Sequence, residues 1–196
     1  MTDTIIDLIR HGEPLGGSKY RGHNIDDPLS EKGWQQMWNA VGDYNQWEQV
    51  VSSPMSRCTQ FAEQLSNKLQ IPTKILTDLR EVGFGSWEGL TREQVKNKNL
   101  QEYTDFYTDP VNKRAAGFED LNKFIKRVTT SLYLISKDYN EKKILVVAHA
   151  GVIRAILAHV LKAPPSALYK IKVENAGISR VNITTGEIIF INRSVS

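Results

Sequence analysis

Apolar residues are grouped along the chain in two patterns, and each pattern predicts a different kind of secondary structure. Short apolar runs that end at polar residues or glycine indicate buried strands. Such runs occupy residues 5–9, 50–51, 75–79, 144–148, 169–173, 178–183 and 187–191. The last two runs are joined at Thr185-Gly186, which is typical of a hairpin turn. The pattern therefore predicts a hairpin near the end of the chain.

Between these runs, apolar residues recur at every third or fourth position, which is the spacing of one buried face of a helix. Ser30 is a candidate N-cap for the first such helix, and Ser53-Pro54 is a start signal for the second. Thr91 with Gln94 has the form of a capping box and predicts a third helix start. Two longer apolar stripes cover residues 121–135 and 152–161.

The alternation of strands with helices predicts an α/β fold, namely a three-layer α/β/α sandwich with a mostly parallel central sheet. A chain of 196 residues is expected to form one domain over residues 1–196, because two halves would each bury too little apolar surface. Ligands of such folds bind outside the carboxyl ends of the strands. Polar residues follow four predicted strands, and they are Arg10-His11, Ser52-Ser53 with Arg57, Glu81 and His149. Since parallel strands point the same way, we expect these side chains to converge on one edge.

Composition and charge narrow the classes of protein to which the chain can belong. Lysine and arginine number 25 against 22 acidic residues, and the net charge of +3 is spread along the chain, which argues against a nucleic-acid partner. The most apolar window, residues 144–161, contains two histidines and an arginine and is not expected to cross a membrane. Cys58 is the only cysteine, and the first residues lack the pattern of a secretion signal, so a cytoplasmic location is expected. A homo-oligomer is compatible with the sequence but is not indicated by it.

The residue types at the predicted sheet edge suit chemistry on a phosphoryl group. Arg10 and Arg57 carry permanent positive charge, and beside a helix N-terminus they would form a site for a tetrahedral dianion. A neutral histidine nitrogen can accept the phosphoryl group and pass it to water. Glu81, which apolar residues follow, is the candidate proton donor for the leaving oxygen and then the base for water. This scheme requires no metal, and the sequence contains no metal-binding motif.

Four segments resemble motifs of the histidine phosphatase superfamily, whose members share the phosphoglycerate-mutase-like fold. They are LIRHGE at 8–13, SSPMSR at 52–57, LREVGFGSWEG at 79–89 and VVAHAGVIR at 146–154. Because the four segments occur in the family's order, the resemblance is far more specific than any one motif alone. GGSKYRG followed by DDPLSEKG further resembles the α-ribazole phosphatase branch of the superfamily.

The resemblance implies a metal-independent phosphomonoesterase without a cofactor, acting on a small-molecule phosphate ester through a phosphohistidine on His11. The implied catalytic residues are His11, Glu81 and His149, and the implied substrate-binding residues are Arg10, Arg57, Ala150, Ser53, Tyr20 and Arg21. The sequence departs from the family's pattern in four places, and one of them is the loop before Asp26, which is one residue longer than usual. Gly83 replaces a usual aspartate, Phe61 replaces a usual threonine, and residues 117–120 keep only part of a Gly-Glu-Ser segment.

Several alternatives stay open at the level of the sequence. Glu88 could replace Glu81 as the proton donor, and a catalytically silent binding protein could keep the phosphate pocket without turnover. A phosphoglycerate mutase would use the same phosphohistidine. The interval from Glu81 to His149 is 68 positions (149 minus 81), shorter than in the family's mutases, so we expect phosphate release to water. Cys58 lies on an apolar helical stripe and is interpreted as a core residue rather than a nucleophile.

The sequence gives less information on the substrate. Aromatic and polar side chains occur together in residues 20–27, 84–87 and 96–116, although the last of these stretches has no readable periodicity. A substrate pocket whose wall is formed by such side chains suits a small or medium organic phosphate. A ribazole-like nucleotide is the leading interpretation, followed by a sugar phosphate or a phosphoglycerate.

Overall fold

One mixed sheet of six strands forms the centre of the fold. In the computed structural model, which describes residues 2–195, the strands are β1 (Ile5–Arg10), β2 (Gln49–Ser52), β3 (Thr73–Ile75), β4 (Lys143–Ala148), β5 (Ile178–Asn182) and β6 (Glu187–Arg193). Their spatial order is β3-β2-β4-β1-β5-β6. The first four pair in parallel, whereas β5 is antiparallel to both β1 and β6. The predicted mostly parallel sheet and the terminal hairpin are therefore confirmed.

Helices cover both faces of this sheet. They are α1 (Glu31–Val41), α2 (Ser56–Leu69), α3 (Arg92–Lys98), α4 (Leu100–Thr108), α5 (Leu121–Asp138) and α6 (Ala150–Val160). Alternate residues of β4 enter different cores, because Ile144 and Val146 pack with α5 and α6 while Leu145 and Val147 pack with α1 and α2. This burial on both faces explains the continuous apolar run of the strand and confirms the three-layer sandwich.

The predicted helix starts are confirmed at two positions and wrong at a third. The Ser30 hydroxyl accepts a hydrogen bond from the Gly33 amide at 3.0 Å, and Thr91 forms a complete capping box with Gln94. Helix α2 begins only at Ser56, and its N-cap is Met55, which makes no side-chain cap. The Ser53 hydroxyl lies 2.6 Å from His149 Nε2 and accepts from the amide of Met55 at 3.4 Å, so it caps no residue of α2.

Two predicted strands differ from the structure. The run 75–79 contains only the last residue of β3, and a short 3-10 helix over Thr77–Leu79 follows it, so Glu81 lies in a loop rather than at a strand end. Residues 169–173 form no strand, because a 3-10 helix spans Pro165–Lys170. The ring of Tyr169 packs against Phe106, with 4.9 Å between the ring centroids, and this contact replaces pairing in the sheet.

Two junctions of strand and helix determine where the chemistry can take place. Strand β1 ends at Arg10, and the loop after it is pressed against the start of α1, where a Cβ atom on Gly12 would lie 2.1 Å from the Gly33 carbonyl oxygen. Strand β4 ends at Ala148, and α6 begins at Ala150 with His149 as its N-cap. Within residues 2–195, the structure contains no helix long and apolar enough to cross a membrane.

Candidate active site

A cavity of about 330 Å³ opens at the carboxyl ends of β1 and β4. Most of the predicted site residues line it, namely Arg10, His11, Tyr20, Arg21, Arg57, Glu81 and Ala150. His149 and Ser53 do not line the cavity, and both are fully buried. The structure therefore brings the predicted residues together, with His149 and Ser53 in a layer behind the cavity wall.

His11 follows β1 directly and has a defined tautomer. Its Nδ1 atom lies 2.7 Å from the carbonyl oxygen of Gly12. Because a carbonyl oxygen can only accept a hydrogen bond, Nδ1 carries the hydrogen and Nε2 keeps a free lone pair. Burial lowers the pKa of His11 well below its usual value, and the charges of Arg10 and Arg57 lower it further. His11 therefore presents a neutral ring nitrogen, as a nucleophile requires.

His149 packs edge-on against His11, with 5.2 Å between the ring centroids and 64° between the ring planes. Its Nε2 atom lies 2.6 Å from the Ser53 hydroxyl oxygen. Burial lowers the pKa of His149 well below its usual value, and the nearby charge of Arg57 acts in the same direction. The position of His149 allows it to orient the ring of His11.

Arg10 and Arg57 supply the positive charge beside His11. Arg10 donates from Nη1 to the carbonyl oxygen of Val173 at 2.8 Å, and Arg57 donates to the carbonyl oxygens of Ile25 and Gly22 at 3.0 and 3.1 Å. Burial lowers the pKa of Arg10 to about 10, so the group still carries its charge at neutral pH.

The Nε atoms of Arg10 and Arg57 are both buried without a hydrogen-bond partner among the described residues. An unpaired buried donor is costly, and two such donors on cationic groups beside one cavity indicate a site for an anion.

Glu81 reaches the same cavity from the loop before α3. Its carboxylate oxygens accept hydrogen bonds from the amides of Val82 at 2.9 Å and Gly151 at 3.1 Å, so the first turn of α6 holds it. A Cβ atom on Gly151 would lie 2.2 Å from Glu81 Oε1, which explains glycine at this position. Each oxygen keeps a second lone pair at which it can carry a proton.

Arg127 of α5 holds the loop that carries Glu81. Its guanidinium forms a two-point ion pair with Glu119, at 2.8 and 2.9 Å, and donates to the carbonyl oxygens of Arg80 and Glu81 at 2.8 and 3.1 Å. Glu119 also accepts from the amide of Gly83 at 3.0 Å. Sequence reasoning missed Arg127, because it is a charged residue outside the apolar stripe of its helix and belongs to none of the four motifs.

The structure also explains the unusual glycine at position 83. A Cβ atom there would lie 2.9 Å from Cε1 of His23 and 3.3 Å from Cβ of Glu119. His23 Nδ1 in turn lies 3.0 Å from the carbonyl oxygen of Glu81. His23 and Glu119 thus fill the space that a side chain at position 83 would need.

The stretches from which the sequence predicted the substrate wall contribute Gly22, Phe84 and Tyr107 to the cavity, in addition to Tyr20 and Arg21. In all, fourteen residues beyond the predicted site residues complete the wall. They are Glu13, Pro14, Gly17, Ser18, Lys19, Gly22, Val82, Phe84, Arg92, Tyr107, Gly151, Arg154, Tyr169 and Asn175. Most of them lie in the four motifs or in the loop after β1, whereas Arg92, Tyr107 and Tyr169 lie in α3, α4 and the last 3-10 helix, where the sequence showed no motif.

Cys58 is buried in α2, and its sulfur lies 3.6 Å from the carbonyl oxygen of Ala148. Burial raises the pKa of its thiol to about 12, so it is not a thiolate at neutral pH. Within residues 2–195, no group of three or more His, Cys, Asp or Glu side chains is arranged to hold a metal ion.

Comparison with known proteins identifies similar sequences along nearly the whole chain. A family model described as histidine phosphatase superfamily (branch 1) matches residues 6–193. The adenosylcobalamin/alpha-ribazole phosphatase of Salmonella typhimurium is 27% identical over 183 residues, which cover 91% of this chain and 90% of that protein.

Solved structures share the same fold. A putative alpha-ribazole-5′-P phosphatase from Escherichia coli superposes with a TM-score of 0.84 at 24% identity, covering 99% of this chain and 98% of that one. A phosphoserine phosphatase from Entamoeba histolytica, solved with 3-phosphoglyceric acid, also has a TM-score of 0.84 at 24% identity, with 98% of each chain covered.

Proposed function

The chain belongs to the histidine phosphatase superfamily, and from that premise we propose that it is a metal-independent phosphomonoesterase that hydrolyses a small phosphorylated metabolite through a phosphohistidine on His11. The observation that carries this proposal is the neutral Nε2 of His11 beside two buried guanidiniums whose Nε atoms have no hydrogen-bond partner within residues 2–195. Family membership and the similarity to curated phosphatases support phosphatase activity.

In the first step, Nε2 of His11 attacks phosphorus and the bond from phosphorus to the ester oxygen breaks. Glu81, in its protonated form, gives its proton to the leaving oxygen. Arg10 and Arg57 donate hydrogen bonds to the non-bridging oxygens, on which charge is spread in the transition state. The products of this step are the alcohol, the phosphohistidine and the Glu81 carboxylate.

In the second step, Glu81 takes a proton from water and the water oxygen attacks phosphorus. The bond from phosphorus to Nε2 breaks, so that inorganic phosphate leaves and His11 is restored. His149 acts as a positioning residue, because it contacts the ring of His11 and is itself held by Ser53. These residues supply nucleophile, acid and charge, which is why the proposal includes no metal.

The test compares His11→Ala with His159→Ala, a control that removes an exposed histidine outside the cavity. We expect His11→Ala to abolish hydrolysis of p-nitrophenyl phosphate and trapping of labelled phosphate on the protein, and we expect His159→Ala to retain both. Wild-type activity should survive a chelator and need no bisphosphate primer.

Retention of hydrolysis by His11→Ala would show that the nucleophile is wrong. Loss of wild-type activity on chelation would contradict the metal-independent mechanism. Primer-dependent interconversion of phosphoglycerates without phosphate release would indicate a mutase, and the absence of both turnover and a phosphoenzyme would indicate a silent binding protein.

A further inference from the structure

His23 lies in the segment between β1 and α1, where this segment meets the loop that carries Glu81. Its Nδ1 atom lies 3.0 Å from the carbonyl oxygen of Glu81. Because a carbonyl oxygen can only accept a hydrogen bond, Nδ1 carries the hydrogen and is the donor. The side chain is 25% exposed and does not line the cavity. His23 therefore contacts the main chain of the candidate general acid from outside the cavity.

The carbonyl oxygen of Glu81 accepts hydrogen bonds from two different parts of the fold. Arg127 Nη2 donates to it at 3.1 Å from α5, and His23 donates to it from the segment after β1. A carbonyl oxygen has two lone pairs, and these two donors use both of them. Without His23, the peptide of Glu81 is held from α5 alone, and the carboxylate is free to shift with it.

The segment that carries His23 also fixes the direction of Arg57. The residue before His23, Gly22, and the second residue after it, Ile25, accept hydrogen bonds from the Arg57 guanidinium through their carbonyl oxygens, at 3.1 and 3.0 Å. In the proposed mechanism Arg57 binds the phosphoryl group and Glu81 supplies the proton. The hydrogen bond from His23 to Glu81 therefore joins the phosphate-binding part of the site to the part that carries the general acid.

Gly83 gives the ring of His23 the space that this hydrogen bond needs. A Cβ atom at position 83 would lie 2.9 Å from Cε1 of His23, well inside the roughly 3.5 to 4.0 Å of a favourable carbon contact. The φ angle of Gly83 is not positive, so the backbone conformation does not itself require glycine. The need for glycine comes instead from its neighbours, of which the ring of His23 is the nearest.

We propose that His23 is a positioning residue that sets Glu81 relative to Arg57, and that Gly83 gives its ring access to the Glu81 carbonyl oxygen. This inference rests on the proposed function, in which Glu81 protonates the leaving oxygen. Proton transfer requires close approach and alignment, so a shift of Glu81 slows this step without removing any group that binds phosphate. The role of His23 is therefore measured best with a leaving group that needs the proton.

The first test separates the hydrogen bond of His23 from the bulk of its side chain. His23→Leu keeps much of the bulk and removes the donor, whereas the amide nitrogen of His23→Asn is attached to Cγ, as Nδ1 is, and can donate to the same oxygen. We expect His23→Leu to lower kcat for glycerol 3-phosphate by about tenfold and kcat for p-nitrophenyl phosphate much less, with little change in KM. His23→Asn should recover most of the loss, and the control His159→Leu should match the wild type.

A second variant displaces the ring of His23 without replacing it. Gly83→Ala puts a methyl group where the ring lies, and we expect it to reproduce the selective loss of His23→Leu. In a His23→Ala background the ring is absent, so Gly83→Ala should cost much less there than in the wild type, and the two changes should be non-additive. An equal cost of Gly83→Ala in both backgrounds would contradict the inference.

Amide hydrogen exchange reports on the position of Glu81 without any turnover, and it separates this inference from the proposed function. The Gly151 amide donates to a Glu81 carboxylate oxygen at 3.1 Å, so its exchange should be faster in His23→Leu and unchanged in His23→Asn. If this pattern holds but the wild type hydrolyses neither ester, the proposed function fails and the positioning role stands. If the wild type hydrolyses both esters, but His23→Leu keeps the exchange rate of Gly151 and the wild-type ratio of the two kcat values, the positioning role is rejected and the proposed function stands.

Discussion

Among single residues, Arg57 is held by hydrogen bonds within the fold and also lines the cavity of the candidate active site. Its guanidinium is 1% exposed and donates to two carbonyl oxygens, while its buried Nε has no partner among the described residues. The two carbonyl contacts fix the direction of the guanidinium before substrate binds. A donor fixed in this way stabilises transition-state charge without reorganisation.

We therefore expect Arg57→Ala to lower kcat/KM for p-nitrophenyl phosphate. The loss should correspond to about 2 to 4 kcal/mol of transition-state stabilisation, the usual effect of removing one preorganised donor. Arg57→Lys should restore only a small part of the rate, because an ammonium group cannot keep two carbonyl contacts and an Nε donor at once. Steady-state kinetics measures the rates, and thermal unfolding checks that both variants fold. A rate within threefold of the wild type for Arg57→Ala would contradict the role.

Residues at the sheet edge could be predicted because strand direction and motif both point to them. His11, Arg10 and Arg57 line the cavity as expected. Arg92 and Arg154 line the same cavity, but the sequence could not predict this, because it depends on how α3 and α6 pack in three dimensions. His149 was predicted as part of the site, but its sequence position did not reveal that it lies behind His11.

At the scale of secondary-structure elements, α5 controls the loop that carries Glu81. Arg127 connects this helix to Glu119 and to the carbonyl oxygens of the loop, including that of Glu81. Because Arg127 does not line the cavity, it is a positioning residue that acts through Glu81. Its removal should therefore affect proton transfer more than substrate binding.

We expect Arg127→Gln to lower kcat for an alkyl phosphate by about tenfold or more and to lower kcat for p-nitrophenyl phosphate much less, because a poor leaving group depends more on the general acid. KM should change little. Lys126→Gln, a neighbouring exposed position on α5, is the control and should match the wild type. Equal losses with both substrates would indicate general destabilisation and reject the positioning role.

Long amphipathic helices and doubly buried strands could be predicted at this scale because their periodicity covers several turns or a whole apolar run. The α5 stripe and the run of β4 are examples. Short elements could not be predicted in this way. Residues 169–173 alternate like a strand, yet the preceding prolines and the contact of Tyr169 with Phe106 favour a 3-10 helix. Three-residue β3 is exposed along its length, so it carries almost no burial signal.

For the whole molecule, the consequence of this architecture is that two imidazoles are buried next to two guanidiniums. Burial lowers the pKa of His11 and of His149, and the charges of Arg10 and Arg57 add to the effect. In the unfolded chain both histidines regain their usual pKa of about 6.5. Below that pH the unfolded state binds protons that the folded state does not bind, so the free energy of unfolding must decrease as the pH falls.

Urea unfolding at pH 7.5 and pH 5.5 measures this decrease in the free energy of unfolding. We expect the free energy of unfolding to be lower at pH 5.5 by up to about 1.4 kcal/mol for each buried histidine, and carboxylates add little because few of them titrate in that interval. The double variant His11→Asn, His149→Asn should lose most of the difference, whereas His159→Asn leaves the buried pair intact and should keep it. Equal pH dependence in the double variant and the wild type would show that the two histidines are not held neutral, and it would also remove the basis for His11 as a nucleophile that is uncharged before substrate binds.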